Sequence, residues 1–180
     1  MRKRSNQING IYTSSPEDEL FADALLRAHT YIADTLGLDT PLLYERKHIY
    51  GPAARYYGCY KPSDAVSVFN FSANYGQTLS HALETVGHEL RHALQFKLEW
   101  YAGHQSRRQR WGKQLIGEWK GELYVGSYQD APWEVDAREF QSRYAEMTHH
   151  LFTKDELETR LPHYVAKYPK KVTNNLKINA

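Results

Sequence analysis

The chain of 180 residues contains a single cysteine, Cys59. No disulfide can form within it, and a zinc site built from cysteine thiolates is excluded. It has almost no charge excess, since 23 Lys and Arg against 21 Asp and Glu leave a formal net charge of +2. That balance gives no electrostatic case for a nucleic-acid partner. No apolar run approaches the ~18 residues of a membrane span. The basic start, Met1-Arg2-Lys3-Arg4, is followed by Ser5-Asn6-Gln7, where a secretory signal requires an apolar segment. The expectation is a cytoplasmic protein with no membrane segment.

What is present is a core. The 14 Tyr, 6 Phe and 4 Trp argue against disorder over most of the length, and the size suits one domain. Residues 1–14 are polar and expected to be flexible, 15–165 to form the domain, and 166–180 to be a flexible basic tail. Neither an internal repeat nor a linker interrupts the middle section.

Ser15-Pro16-Glu17-Asp18 is a helix start, and Leu20, Phe21, Ala24, Leu25, Ala28, Ile32 and Leu36 continue with helical spacing up to Gly37. His29 in this helix reads as a structural histidine, satisfied or exposed. A connection follows, with a short strand expected at Lys47–Tyr50 and a break at Gly51-Pro52. Arg55–Tyr60 and Val66–Phe71 are β-rich runs separated by Lys61-Pro62-Ser63-Asp64, which predicts a hairpin. Cys59 reads as a small core residue, since no activating motif adjoins it.

After the Ser72–Gln77 loop, Thr78 or Ser80 caps a second helix. Leu79, Leu83, Val86, Leu90, Leu94 and Leu98 recur on one side of it, and His81, Thr85, His88 and His92 lie on the other. That helix is expected to run to about Tyr101 and to end at Gly103. Gly87 within it suggests either a tolerated glycine or the close approach of another segment.

His88-Glu89-Leu90-Arg91-His92 is the motif around which the chain is organised. Histidines four apart on a helix point the same way and can both reach one zinc ion at about 2.0–2.1 Å. Glu89, offset by one position, flanks the metal and can hold a water and take its proton. At the chain's own residue frequencies, the pattern arises by chance at roughly 3%.

Residues 104–131 give no clear element. Arg107, Arg108, Arg110 and Lys113 beside Trp111 read as a solvated face, with a nucleic-acid surface as the alternative. Asp130-Ala131-Pro132-Trp133-Glu134 opens another helix, whose buried stripe is Trp133, Ala137, Phe140, Tyr144 and Met147. Thr153-Lys154-Asp155-Glu156 is a capping box for a short last helix ending before Pro162. His149, His150 and His163 lack metal spacing and read as surface residues.

A catalytic zinc site needs a third protein ligand and an open fourth position. Glu134, at the start of its helix, is the candidate, with Asp136 placed to orient a ligand histidine. His104 remains the alternative.

In these features the chain resembles zincin-type zinc metallopeptidases with a glutamate third ligand, most nearly compact ImmA/IrrE-like proteins. The shared order is an N-terminal helix, a hairpin with a Gly-x-Tyr element (Gly58-Cys59-Tyr60), a β-run ending near Asn70, the His-Glu-x-x-His helix, and a Glu-x-x-Ala-x-x-Phe helix (Glu134, Ala137, Phe140). The resemblance covers roughly residues 16–150. Arg91 stands where these relatives usually have a small residue, and the longer gap to Glu134 makes 104–131 look inserted. The resemblance implies an α+β zincin-like domain with a small, mostly antiparallel sheet. It implies Zn2+ held by His88, His92 and Glu134, Glu89 as general base, and a protein or peptide substrate paired along Val66–Phe71. Tyr128, Tyr124 and His104 are candidates to stabilise the oxyanion. SprT-like proteases, which act near DNA, offer the rival resemblance, with Gly103-His104 supplying the third ligand. A non-catalytic zinc-binding regulatory protein is the other alternative.

Overall fold

The computed structural model describes residues 16–45, 57–63, 65–70, 74, 76–109 and 112–161. Among the described residues the architecture is α+β, with four α-helices and two three-stranded sheets. The expectations for residues 1–15, the strand at Lys47–Tyr50, the Gly51-Pro52 break, the Arg110-Trp111 pair, His163 and the 166–180 tail lie outside the described residues.

Helix α1 (Pro16–Thr35) buries Phe21, Leu25, Ala28 and Ile32. Its end is a Schellman motif: Leu38 N–H reaches Ala33 C=O at 2.8 Å and Gly37 N–H reaches Asp34 C=O at 3.1 Å. Gly37 takes the left-handed position at φ +64°, as its place after the last helical residue predicts. His29 departs from expectation. It is buried, and its Nε2 has no hydrogen-bond partner.

Strands β1 (Leu42–Glu45), β2 (Gly58–Lys61) and β3 (Val66–Asn70) form the first sheet in the order β1-β3-β2. The expected hairpin is present, with β2 antiparallel to β3 and Gly58 opposite Phe69. The strand ahead of it is Leu42–Glu45, and it pairs in parallel with β3. The sheet is therefore mixed. Val66, Ser67, Val68 and Phe69 are all buried, as a central strand covered on both faces requires.

Helix α2 (Leu79–Lys97) runs through the middle of the molecule. Thr78 caps it by accepting from the His81 N–H at 3.3 Å. Leu79, Leu83, Val86 and Leu90 are buried as their spacing predicts, but Leu98 is 44% exposed. The helix stops at Lys97, short of the expected Tyr101. A second Schellman motif ends it, with Trp100 N–H on Gln95 C=O at 2.9 Å and Glu99 N–H on Phe96 C=O at 3.0 Å. Glu99 fills the left-handed position at φ +56°.

The chain then reverses into an antiparallel meander of β4 (Tyr101–Gln109), β5 (Gly112–Trp119) and β6 (Glu122–Gly126). The apparent insertion is thus a regular second sheet. Lys120 at φ +51° and Gly121 at φ +84° form the two-residue turn that the twist of a hairpin favours.

Helix α3 (Pro132–Thr148) starts with Pro132 in its first turn and buries Trp133, Ala137, Tyr144 and Ala145. A 3-10 turn at His149–Leu151 leads to α4 (Lys154–Glu158), where the predicted capping box of Thr153 and Glu156 is complete. His149 is half-buried with Nε2 unpartnered, rather than on the surface, and His150 packs edge-on against Tyr31. The main core joins α1, α2, α3 and the first sheet. A second cluster of Tyr101, Leu115, Ala131 and Trp133 seats the meander on the start of α3. Among the described residues, no helix is long and apolar enough to cross a membrane.

Candidate metal centre

His88 and His92 lie one turn apart on α2, and their Nε2 atoms are 3.1 Å from each other. Glu134, in the first turn of α3, brings Oε2 to 3.4 Å from His88 Nε2 and Oε1 to 3.5 Å from His92 Nε2. A tetrahedral ion with ligand bonds of about 2.05 Å requires ligand atoms about 3.3 Å apart. The two ring nitrogens are close to that edge length, each ring meets a different oxygen of Glu134 at a similar distance, and one ligand atom from each residue lies within 4.8 Å of the others. Among the described residues these three form the group of His, Cys, Asp and Glu side chains able to hold a metal ion.

The backs of both rings are fixed by glutamines. His92 Nδ1 lies 2.8 Å from Gln95 Oε1, and His88 Nδ1 lies 3.2 Å from Gln141 Oε1. An amide oxygen only accepts, so both Nδ1 atoms donate and both Nε2 atoms face the Glu134 carboxylate. Three acceptors converging this closely repel one another unless a cation or a proton lies among them. The donor set of two imidazoles and a carboxylate fits a metal ion with one position left open.

The approach of α3 to α2 makes this convergence possible. A Cβ on Gly87 would lie 2.9 Å from both the Gln141 carbonyl oxygen and Tyr144 Cβ, so only glycine allows the helices to pass so closely. Gly87 therefore serves the close approach that its position next to His88 suggested.

Glu89 is buried under β2. A Cβ on Gly58 would lie 2.9 Å from Glu89 Cγ, which explains the glycine of the Gly-x-Tyr element. Burial pushes the Glu89 carboxyl up to about 7; the Glu134 charge adds to this, while His88 and the Tyr60 N–H oppose it. Burial also acts to raise Glu134, but hydrogen bonds from His88, His92 and the Tyr128 hydroxyl outweigh it and hold that carboxyl far below its ordinary range.

These groups open onto a cleft of about 450 Å³, lined by Gly58, Cys59, Tyr60, Pro62, Glu89, His92, Phe96, Tyr101, Tyr128 and Glu134. Its aromatic wall is continuous: Tyr60 meets Phe96 at 5.4 Å, Phe96 meets Tyr101 at 4.8 Å, and Tyr101 stacks on Trp133 at 4.6 Å. Burial raises the Tyr101 hydroxyl, and the Glu134 charge adds to it.

Of the three oxyanion candidates, Tyr128 reaches the centre. Tyr124 donates instead to the Ser127 carbonyl at 2.8 Å and packs edge-on against Trp133. His104 stands in β4 opposite Gly117, and its side chain lies outside the described residues. The side chains of Arg107, Arg108 and Lys113 also lie outside them.

Two expectations need correction. Val66–Asn70 is flanked by β1 and β2, so it presents no open edge; among the described residues β1 and β2 are the outer strands, and it is β2 that lines the cleft. Asp136 does not touch a ligand histidine. It accepts from Gln95 Nε2 at 2.7 Å and holds Arg91 through a bidentate pair at 2.6 and 2.9 Å. Burial acts to raise Asp136, but these hydrogen bonds win and lower it. Arg91 also donates to the Tyr144 hydroxyl at 3.0 Å and lies 3.8 Å over the Phe140 ring.

Sequence reasoning missed Gln95, Gln141 and the role of Arg91. The available signal was position alone, since Gln95 follows His92 by three and therefore shares its face. Compared with known proteins, the chain matches no family model, no curated protein and no solved structure.

Proposed function

We propose that this chain is a zinc-dependent peptidase with a zincin-like architecture, working in the cytoplasm on a protein or peptide substrate. The observation that carries this reading is the convergence of His88 Nε2, His92 Nε2 and Glu134 at 3.1–3.5 Å beside a buried carboxylate in an open cleft. His88, His92 and Glu134 would hold the ion. Zinc bound there supplies Lewis acidity to a peptide carbonyl and makes a water acidic enough to lose a proton near neutral pH.

Glu89 is the general base. The wall formed by Gly58 and the Tyr60 N–H fixes its carboxylate at the cleft. It takes the proton from the attacking water and returns it to the leaving amine. The Tyr128 hydroxyl, already donating at Glu134, is placed to stabilise negative charge developing on the carbonyl oxygen. The outer strand β2 offers its backbone to an extended substrate, and Tyr60, Phe96 and Tyr101 pack against the side chains. The buried Glu89 favours catalysis over a purely regulatory zinc site, because it has no ligand role to account for it.

The test is Glu89→Gln, assayed for metal content and for cleavage across a mixed peptide library. Glutamine keeps the shape and can hydrogen-bond water but cannot take a proton, so zinc is retained and cleavage stops. A wild-type chain that binds zinc yet cleaves no peptide would overturn the peptidase reading. Equal cleavage by both proteins would overturn the role of Glu89.

A further inference from the structure

Gln95 is fully buried and uses its whole amide. Oε1 accepts from His92 Nδ1 at 2.8 Å, while Nε2 donates to the Trp133 carbonyl at 2.9 Å and to Asp136 Oδ2 at 2.7 Å. Two donor contacts fix which end of the amide carries the nitrogen, so the oxygen has to face His92. Trp133 is the residue before Glu134. One side chain thus reaches a ligand histidine on α2 and the backbone that carries the ligand carboxylate on α3.

We propose that Gln95 is the positioning residue that joins the two halves of the metal centre, holding His92 with Nδ1 protonated and fixing the first turn of α3 before any metal arrives. This rests on the reading of His88, His92 and Glu134 as metal ligands. Arg91 stiffens the device. Its bidentate pair with Asp136 and its contacts with Tyr144 and Phe140 tie the same turns of α2 and α3 together, and its guanidinium also lies over Trp100 in the turn after α2. Asp136 in turn has a fixed oxygen to offer Gln95. The arrangement accounts for an arginine in the middle of the His-Glu-x-x-His motif, where its charge is met one step behind the ligands. Gln141 contrasts with Gln95, because it is only half-buried and backs one ring, that of His88.

The test uses the full-length chain and its Gln95→Met and Gln141→Met variants, since methionine keeps length and removes the amide. Three quantities are measured: zinc affinity by chelator competition, thermal stability of the metal-free proteins, and the His92 ring tautomer by nitrogen NMR of the metal-free proteins. Loss of an outer partner of a metal ligand weakens binding about 10–100-fold. Gln95→Met is expected to fall in that range and to lose the Nδ1–H form of His92, whereas Gln141→Met leaves the His92 tautomer unchanged. A Gln95→Met protein with altered stability but wild-type zinc affinity and tautomer would overturn the proposal by reducing Gln95 to packing. The wild-type spectrum decides independently of whether that variant folds, because an Nε2–H form of His92 there contradicts the proposed hydrogen bond. If wild type binds no zinc, the metal reading fails, while the tautomer still reports on Gln95.

Discussion

Glu134 is the residue on which two separate elements depend, because it brings a carboxylate from α3 to the two imidazole rings of α2. A carboxylate cancels one of the two charges of a divalent ion, which imidazoles cannot do. Removing it should cost more than the ~10–100-fold typical of an outer partner. We expect His88→Ala, His92→Ala and Glu134→Ala each to lose zinc under chelator competition, while His104→Ala leaves zinc affinity near wild type. Unchanged affinity in Glu134→Ala combined with loss in His104→Ala would replace the third ligand. Away from the centre, His29 makes a second residue-scale prediction. Burial lowers its pKa to about 4, against about 6.5 for an exposed ring. The unfolded chain therefore takes up a proton first as pH falls. Stability contributed by neutral His29 is complete above about pH 6.5 and is lost progressively down to about pH 4, by up to about 3 kcal/mol. Urea unfolding of metal-free wild type and His29→Leu at pH 7 and pH 4.5 measures this. The variant should lose less stability on acidification, and identical losses would show that His29 is not the group responsible.

At the scale of elements, the contact between α2 and α3 sets the geometry of the centre, and Gly87 sets the contact. Alanine is the better helix former by about 1 kcal/mol. Its methyl group, however, would press on the α3 backbone at Gln141, which cannot rotate away. Such overpacking costs typically 1–3 kcal/mol. Gly87→Ala is expected to lower both the thermal midpoint and zinc affinity, since α3 must move with Gln141 and Glu134. A more stable variant with wild-type zinc affinity would show that the helices have room to spare. The two ligand-bearing helices were legible because each starts with local chemistry, Thr78 for α2 and Pro132 for α3, followed by apolar residues at helical spacing. The ligands were legible for the same reason, as charged or imidazole groups at fixed offsets from those starts. The end of α2 was not, because Glu99 occupies a left-handed position usually marked by glycine. The meander was hidden in a similar way. Its β5–β6 turn is Lys120-Gly121 instead of an asparagine-glycine pair, and Gly117 replaces an inward side chain in the middle of β5. The glutamines behind the rings carry no motif at all, since an amide becomes informative only when its neighbours in space are known. Glu99→Gly is expected to raise stability modestly, because a side chain in the left-handed region costs roughly 1–2 kcal/mol and glycine removes most of that. A lower midpoint for Glu99→Gly would mean that its side chain contributes contacts exceeding that strain.

On the scale of the whole molecule, the core and the metal centre are separable. The main cluster is built from α1, α2, α3 and the first sheet through Leu25, Ile32, Leu83, Leu90 and Phe69, and it contains none of the three ligands. A zinc finger, by contrast, has little core without its ion and unfolds when stripped. This chain should stay folded. Its ligand rings remain held from behind by Gln95 and Gln141, and a shared proton between an imidazole and Glu134 can relieve the repulsion among acceptors. Metal then acts by mass action on an existing fold. With zinc at 100 times its dissociation constant, the gain is about 2.7 kcal/mol. For a chain of this size that corresponds to about 5–10 °C in the thermal midpoint. Leu83→Ala, which empties the core beneath the same helix, should cost about 2–5 kcal/mol whether or not metal is present. Far-UV circular dichroism and thermal unfolding of stripped, zinc-loaded and Leu83→Ala proteins test this directly. Stripped protein should retain its helical signal and a cooperative transition, with zinc shifting the midpoint upwards. Loss of the helical signal on stripping would mean that the ion, and not the apolar core, holds α3 against α2.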